Sequence, residues 1–303
     1  MSTAKIIELF WLACFSEFIG TSVLIILGNG VCASTSFKKM FANQSGKWVA
    51  IIFGWGFGVF VAALISSMMG GVGHLNPAVT IMDAIKTSYY VGTNNITTVL
   101  NNSVYYYAMV GYSITLSESI ALTFFMFLIF QVTGAMFGQT ILNFINIKFI
   151  KNKENDLLTI GGAYCTTPVY SNKQDKSLIQ NFSYELIGTM ILVGFILGLG
   201  GTSFKTQNIG ALSTIPVAFV VMSIGLSLGS VTGYAINPVR DFGPRVIYGI
   251  YMSIFRKEEW NKSLYNWSYS WVPIVAPLIA GALVGLFALI PSAIQPMLFP
   301  TTI

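Results

Sequence analysis

The sequence predicts an all-α membrane protein with six transmembrane helices and two short re-entrant half-helices in an inverted repeat. Three observations lead there. The chain is 54% hydrophobic and only 9% charged, whereas a soluble domain carries about a quarter charged residues. Six apolar stretches reach the length of about 20 residues that a bilayer crossing needs. The same order of short motifs also occurs twice, each time around an Asn-Pro pair, Asn76-Pro77 and Asn237-Pro238.

The six stretches lie near 9–28, 48–69, 119–147, 183–200, 209–229 and 271–292. Residues 1–8 are short and polar and the first apolar run outlasts a signal h-region, so no cleavable signal is read. Two further apolar pieces begin at Asn76 and Asn237 and are too short to span. Interrupted segments at matching places in two halves point to a conduction site. Glu17-Phe18-Ile19-Gly20-Thr21 pairs with Glu185-Leu186-Ile187-Gly188-Thr189, Gly54 and Gly58 with Gly225 and Gly229, and Gly134 and Gly138 with Gly281 and Gly285. Glycines four apart let helix backbones approach closely in lipid. Each half holds three spans, an odd number, so the second half is inverted relative to the first. The expected units are 1–147, a connecting loop 148–182, and 183–303.

Composition also excludes. The net charge of +5 comes from lysines scattered over loops, with no basic helix face, so no nucleic-acid partner is expected. The three cysteines have no metal or redox spacing, so no metal and no cofactor is expected. Cys14 reads as apolar filler, and a Cys32–Cys165 disulfide stays open. No nucleophile–base pair stands out, so the chain is not read as an enzyme.

Asn followed by Pro starts a helix. The Asn side chain caps free backbone N–H groups, and Pro suits the first helical position because it has no donor to leave unpaired. On a short membrane segment that start lies inside the bilayer, and the inverted repeat brings two of them tip to tip. Two partly positive helix ends then aim at one spot. The chain before each cap is non-helical, which lipid tolerates only where it is buried in protein or lines a wet cavity. The carbonyls of Val72, Gly73, His74 and Leu75, and of Gly233, Tyr234, Ala235 and Ile236, are expected to form a ladder of acceptors opposite an apolar wall. Such a passage suits water and small polyols.

At this point the chain resembles a known family. His74-Leu75-Asn76-Pro77-Ala78-Val79-Thr80 and Gly233-Tyr234-Ala235-Ile236-Asn237-Pro238-Val239-Arg240-Asp241-Phe242-Gly243-Pro244-Arg245 are similar to the two signature loops of the aquaporins, in their glycerol-conducting, aquaglyceroporin branch. The resemblance implies a passive channel for water, glycerol and similar neutral solutes that excludes protons and ions. It implies a selectivity filter of Trp55, Gly225, Tyr234 and Arg240, with Gly225 leaving the bore wide, and motif residues Asn76, Pro77, Ala78, Asn237, Pro238 and Val239. It implies that Glu17 and Glu185 accept hydrogen bonds from the loop backbones, with Asp241 also supporting the loops. A homotetramer in the plasma membrane with cytosolic termini follows from the same likeness. A water-selective channel and a coupled transporter are the competing readings. Gly225 argues against the first, and the scarcity of titratable groups in the path argues against the second.

Some features depart from the family pattern. Val239 stands where the family usually has Ala, with an expected effect on the bore. Residues 87–118 form an insertion, read either as a variable loop or as a plug over the inner mouth. His74, the only histidine, is open to a bracing role or a pH-sensitive one. With cytosolic termini, Lys38, Lys39, Lys47, Lys148, Lys151, Lys153, Lys173 and Lys176 fall outside, against the positive-inside tendency. Sequons at Asn43, Asn181, Asn261 and Asn266 fall outside or near that face, and those at Asn95 and Asn101 fall inside.

Overall fold

The structure is a computed structural model that describes residues 1–93, 103–170, 177–199, 214–261, 264 and 266–289. The regular elements among them are helices: α1 (Thr3–Ser36), α2 (Lys47–Met68), α3 (Pro77–Thr93), α4 (Val104–Tyr112), α5 (Leu116–Ile145), α6 (Ile147–Lys151), α7 (Leu157–Gly161), α8 (Leu178–Leu199), α9 (Ile215–Ser227), α10 (Gly229–Thr232), α11 (Pro238–Phe255), α12 (Trp267–Ser270) and α13 (Val272–Phe287).

Among the described residues five segments are long and apolar enough to cross a membrane: Thr3–Ser36, Lys47–Met68, Leu116–Ile145, Leu178–Leu199 and Trp267–Phe287. The expected span 209–229 holds the shorter apolar helix α9, and its residues 209–213 lie outside the described residues. Helix ends run past the apolar stretches because polar caps extend them. Ser2 accepts from the Lys5 amide, and Thr115 and Glu118 form a reciprocal capping box at α5.

The halves pack as an inverted pair. α1 lies along α5 and α8 along α13; α3 packs on α13 and α11 on α5, so each half-helix rests on the third span of the opposite half. α2 and α9, the second span of each half, pack on one another. The close approaches run through glycine, but sequence-matched pairs serve different contacts. A Cβ on Gly134 would lie 2.5 Å from the Phe18 carbonyl oxygen, and one on Gly138 would overlap that of Ser22, so this pair seats α5 on α1. A Cβ on Gly281 would overlap the Ala78 carbonyl, so Gly281 and Gly285 seat α13 on α3. Likewise Gly54 and Gly58 face α1, while Gly225 and Gly229 face Tyr234.

The structure bears on several local points that the sequence left open. Cys32 and Cys165 are both free and buried, so no disulfide joins them. Asn181 is buried in α8 and its Nδ2 donates to the Tyr170 carbonyl at 3.1 Å, so it is no exposed sequon. The connecting loop is partly helical, as α6 and α7. In the insertion 87–118, α3 continues to Thr93, α4 packs on α1 and α5, and 94–102 lie outside the described residues. The lysine-rich loops meet on one face. There Lys39 donates to Glu154 at 3.1 Å and Arg256 Nε to Glu259 at 2.9 Å. Each hydrogen bond holds its carboxyl below the ordinary glutamate range.

Candidate functional site

The two caps interlock. Asn76 Oδ1 accepts from the Ala78 amide at 2.9 Å, and its Nδ2 donates to the Ile236 carbonyl at 2.8 Å. Asn237 Oδ1 accepts from the amides of Val239 at 3.1 Å and Arg240 at 3.4 Å, and its Nδ2 donates to the Leu75 carbonyl at 2.7 Å. Each asparagine therefore caps its own half-helix and ties itself to the residue just before the other asparagine. An amide nitrogen carries two hydrogens, so this leaves one N–H on each side chain for a further acceptor.

The approach to each cap is a run of unusual backbone. Leu75 (φ 51), Tyr234 (φ 36) and Ile236 (φ 44) are non-glycine residues in the left-handed region, beside Gly73 (φ 66) and Gly233 (φ 80). Such conformations persist only where surrounding bonds impose them. Two fully buried carboxylates do so. Glu17 accepts from the amides of His74 at 2.8 Å and Leu75 at 2.7 Å, and from Gln131 Nε2 at 2.8 Å. Glu185 accepts from the amides of Ala235 at 3.0 Å and Ile236 at 2.8 Å. With the amides turned to the glutamates, the carbonyls are left to face elsewhere.

Beside these loops lies a cavity of about 290 Å³. Val72, Gly73, His74 and Leu75 line it from one loop, and Tyr234, Ala235 and Ile236 from the other, with both asparagines. Leu24, Val59, Leu192 and Val221 supply the apolar wall. Gly233 is not in the lining, and its carbonyl accepts from Arg240 Nη2 at 3.4 Å. Val239 is also outside it, 1% exposed and packed in the core, so its extra methyls sit behind the passage and not in its bore.

Trp55, Tyr234 and Arg240 meet in the lining of this cavity. The Arg240 guanidinium carbon lies 4.3 Å from the Trp55 ring centre, a favourable cation–π contact. Trp55 Nε1 donates to Cys32 Sγ at 3.4 Å. Gly225 does not line the cavity. A Cβ there would lie 3.0 Å from Tyr234 Cζ and from Ile52, so the room made by its missing side chain is taken by the Tyr234 ring. Asp241 binds away from the Asn237 loop. Its Oδ2 accepts from the Thr166 amide at 2.7 Å and hydroxyl at 2.6 Å, and its Oδ1 from Arg245 Nε at 2.8 Å. Arg245, fully buried, also donates to the Thr166 carbonyl at 2.8 Å.

Sequence reasoning did not single out Gln131 or Thr166, and it named Cys32 only as a possible disulfide partner and not as a neighbour of Trp55. Gln131 carried a usable signal, since a glutamine inside an apolar span needs a partner. Thr166 and Cys32 carried none. Among the described residues no group of three or more His, Cys, Asp or Glu could hold a metal ion.

Known proteins resemble this chain in sequence and in shape. The Major intrinsic protein family model matches residues 5–94 and 99–288. A probable glycerol uptake facilitator protein of Mycoplasmoides gallisepticum is 40% identical over 276 residues, covering 90% of this chain and 95% of the relative. A glycerol uptake facilitator protein of Bacillus subtilis is 34% identical over 275 residues, covering 91% and 83%. The X-ray structure of the aquaglyceroporin from Plasmodium falciparum superposes with a TM-score of 0.66 at 27% identity, covering 92% of this chain and 95% of that one.

Proposed function

Because the chain belongs to the major intrinsic protein family, we propose that it is a passive membrane channel for glycerol, water and similar small neutral solutes. The observation that carries this reading is the reciprocal bond between each capping asparagine and the carbonyl before the other, in the wall of a narrow, largely apolar cavity. A polyol has hydroxyls on one edge and carbon on the other. The carbonyl ladder and the asparagine N–H groups serve the first edge, and Leu24, Val59, Leu192 and Val221 the second. No bond is made or broken in the solute.

The selective step is assigned to Trp55, Tyr234 and Arg240. Arg240 donates to solute hydroxyls and repels cations, and the two rings pack on the carbon edge. Gly225 acts indirectly, by giving Tyr234 a place to retract. Protons are opposed by the two converging helix ends and by Arg240. Glu17 and Glu185 hold the loops, and Asp241 with Arg245 anchors the connecting loop beside Arg240. We place both termini in the cytosol of a cell whose plasma membrane holds the protein, as a homotetramer with one passage per subunit.

The test is stopped-flow light scattering of proteoliposomes under glycerol and sucrose gradients, with an internal pH dye. Expected are glycerol entry well above protein-free vesicles, without accumulation, and no added proton leak. Rapid water flow with glycerol entry at the protein-free rate would reject the polyol assignment, and uphill accumulation would favour a coupled transporter.

A further inference from the structure

The insertion 87–118 was open to reading as a plug, yet none of α4 lines the cavity. It docks on the flank of the bundle instead. Ser103 caps α4, and the helix buries Val104, Tyr105, Ala108 and Gly111. Val104, Tyr105 and Ala108 pack with Phe10, Ala13 and Cys14 of α1 and Phe127 of α5.

Tyr105 is only 3% exposed, and its hydroxyl reaches across to α3, donating to Asp83 Oδ2 at 3.1 Å. The same oxygen lies 3.9 Å from His74 Nε2. His74 lines the cavity, its Nδ1 meets the Thr80 hydroxyl at 3.2 Å, and its ring stands edge-on to Phe127 at 5.7 Å. A short polar path thus runs from the insertion to the wall of the passage.

We propose that Tyr105 is a positioning residue for conduction: it fixes Asp83, and through Asp83 the His74 ring in the wall of the passage. A hydrogen bond to an ionised carboxylate is stronger than a neutral one, so the tyrosine decides where Asp83 Oδ2 sits. Without that hydroxyl Asp83 can swing, and the outer nitrogen of His74 loses its fixed neighbour. The ring is then held by Thr80 and Phe127 alone, and its position beside a passing solute changes. Helix α4 thus acts on the passage from its flank. This inference rests on the channel reading.

A double-mutant cycle on glycerol entry into proteoliposomes tests it, using wild type, Tyr105→Phe, His74→Ala and the pair. Tyr105→Phe keeps the ring in its apolar seat and removes only the hydroxyl. It is expected to lower glycerol entry about threefold in the wild-type background and to change it by less than about 1.5-fold once His74 is gone. Asp83→Asn, with its weaker acceptor, is expected to fall between. His74→Gln gives a second background should His74→Ala fail to fold, and thermal melting in detergent monitors folding throughout. An equal fold-change in both backgrounds, or none in the wild type, overturns the inference while leaving the channel intact. Wild-type vesicles that admit neither water nor glycerol overturn both.

Discussion

Three residues after the capping asparagine, the first half-helix has Val79 and the second has Arg240. Three residues before it, the first loop has Gly73 and the second has Tyr234. The backbones at these places are alike. Leu75 and Ile236 both sit in the left-handed region, and Gly73 and Tyr234 do as well. A buried glutamate takes two loop amides in each half. What differs is the chemistry hung on the shared frame. The first loop presents small and apolar groups with His74, and the second presents a guanidinium and a phenol to the same cavity. Symmetry therefore supplies the common frame, and the departures from symmetry place different side chains on the same cavity.

The largest effect should come from breaking what the halves share. Glu185→Leu leaves the amides of Ala235 and Ile236 buried without an acceptor, at roughly 1–3 kcal/mol each. Loss of the folded peak in size-exclusion chromatography is the expected result. A normal elution profile and melting temperature would show that the strained loop stands without its carboxylate.

Next comes exchanging what the halves do not share. Arg240→Val gives the second half-helix the residue of the first. The fold should survive, because the Asp241–Arg245 pair and Thr166 still hold the loop. The passage should lose its cation barrier, with proton leak rising on the order of tenfold, as for removal of about 1.4 kcal/mol of barrier. An unchanged leak in a pH-dye assay would shift that barrier onto the helix ends.

A smaller effect is expected from Gly225→Val. Its branched side chain would push the Tyr234 ring out of its recess and toward Trp55 and Arg240. Glycerol entry should fall several-fold while water flow falls less, since inserting methylenes into a packed site costs about 1–3 kcal/mol. Equal losses of both in the same vesicles would mean that Gly225 only spaces α9 from α2.

Much of this was legible because it is local. An Asn-Pro pair caps a helix wherever it occurs, and twenty apolar residues cross a bilayer whatever packs beside them. The inverted repeat was legible from motif order, because an odd number of spans leaves no other arrangement. Legibility ended where partners are far apart in the chain. The matched glycine pairs could be read as close approaches, but not that Gly134 meets Phe18 while Gly281 meets Ala78. Gly225 could be read as an absence of bulk, but not that Tyr234 fills the space. Thr166, 75 residues from Asp241, gave no sign that it would bind that carboxylate.

Apolar length, motif order and helix-start chemistry were enough for five of the spans, the two half-helices and their opposed directions, since each depends on neighbours within a turn, on the thickness of lipid or on the order of short motifs. Which side chains line the cavity, which stand behind it, and that α4 docks on the flank of the bundle were decided by the packed structure. Those outcomes depend on contacts between residues tens to more than a hundred and fifty positions apart, as between Asn76 and Ile236, and no local pattern encodes such a contact.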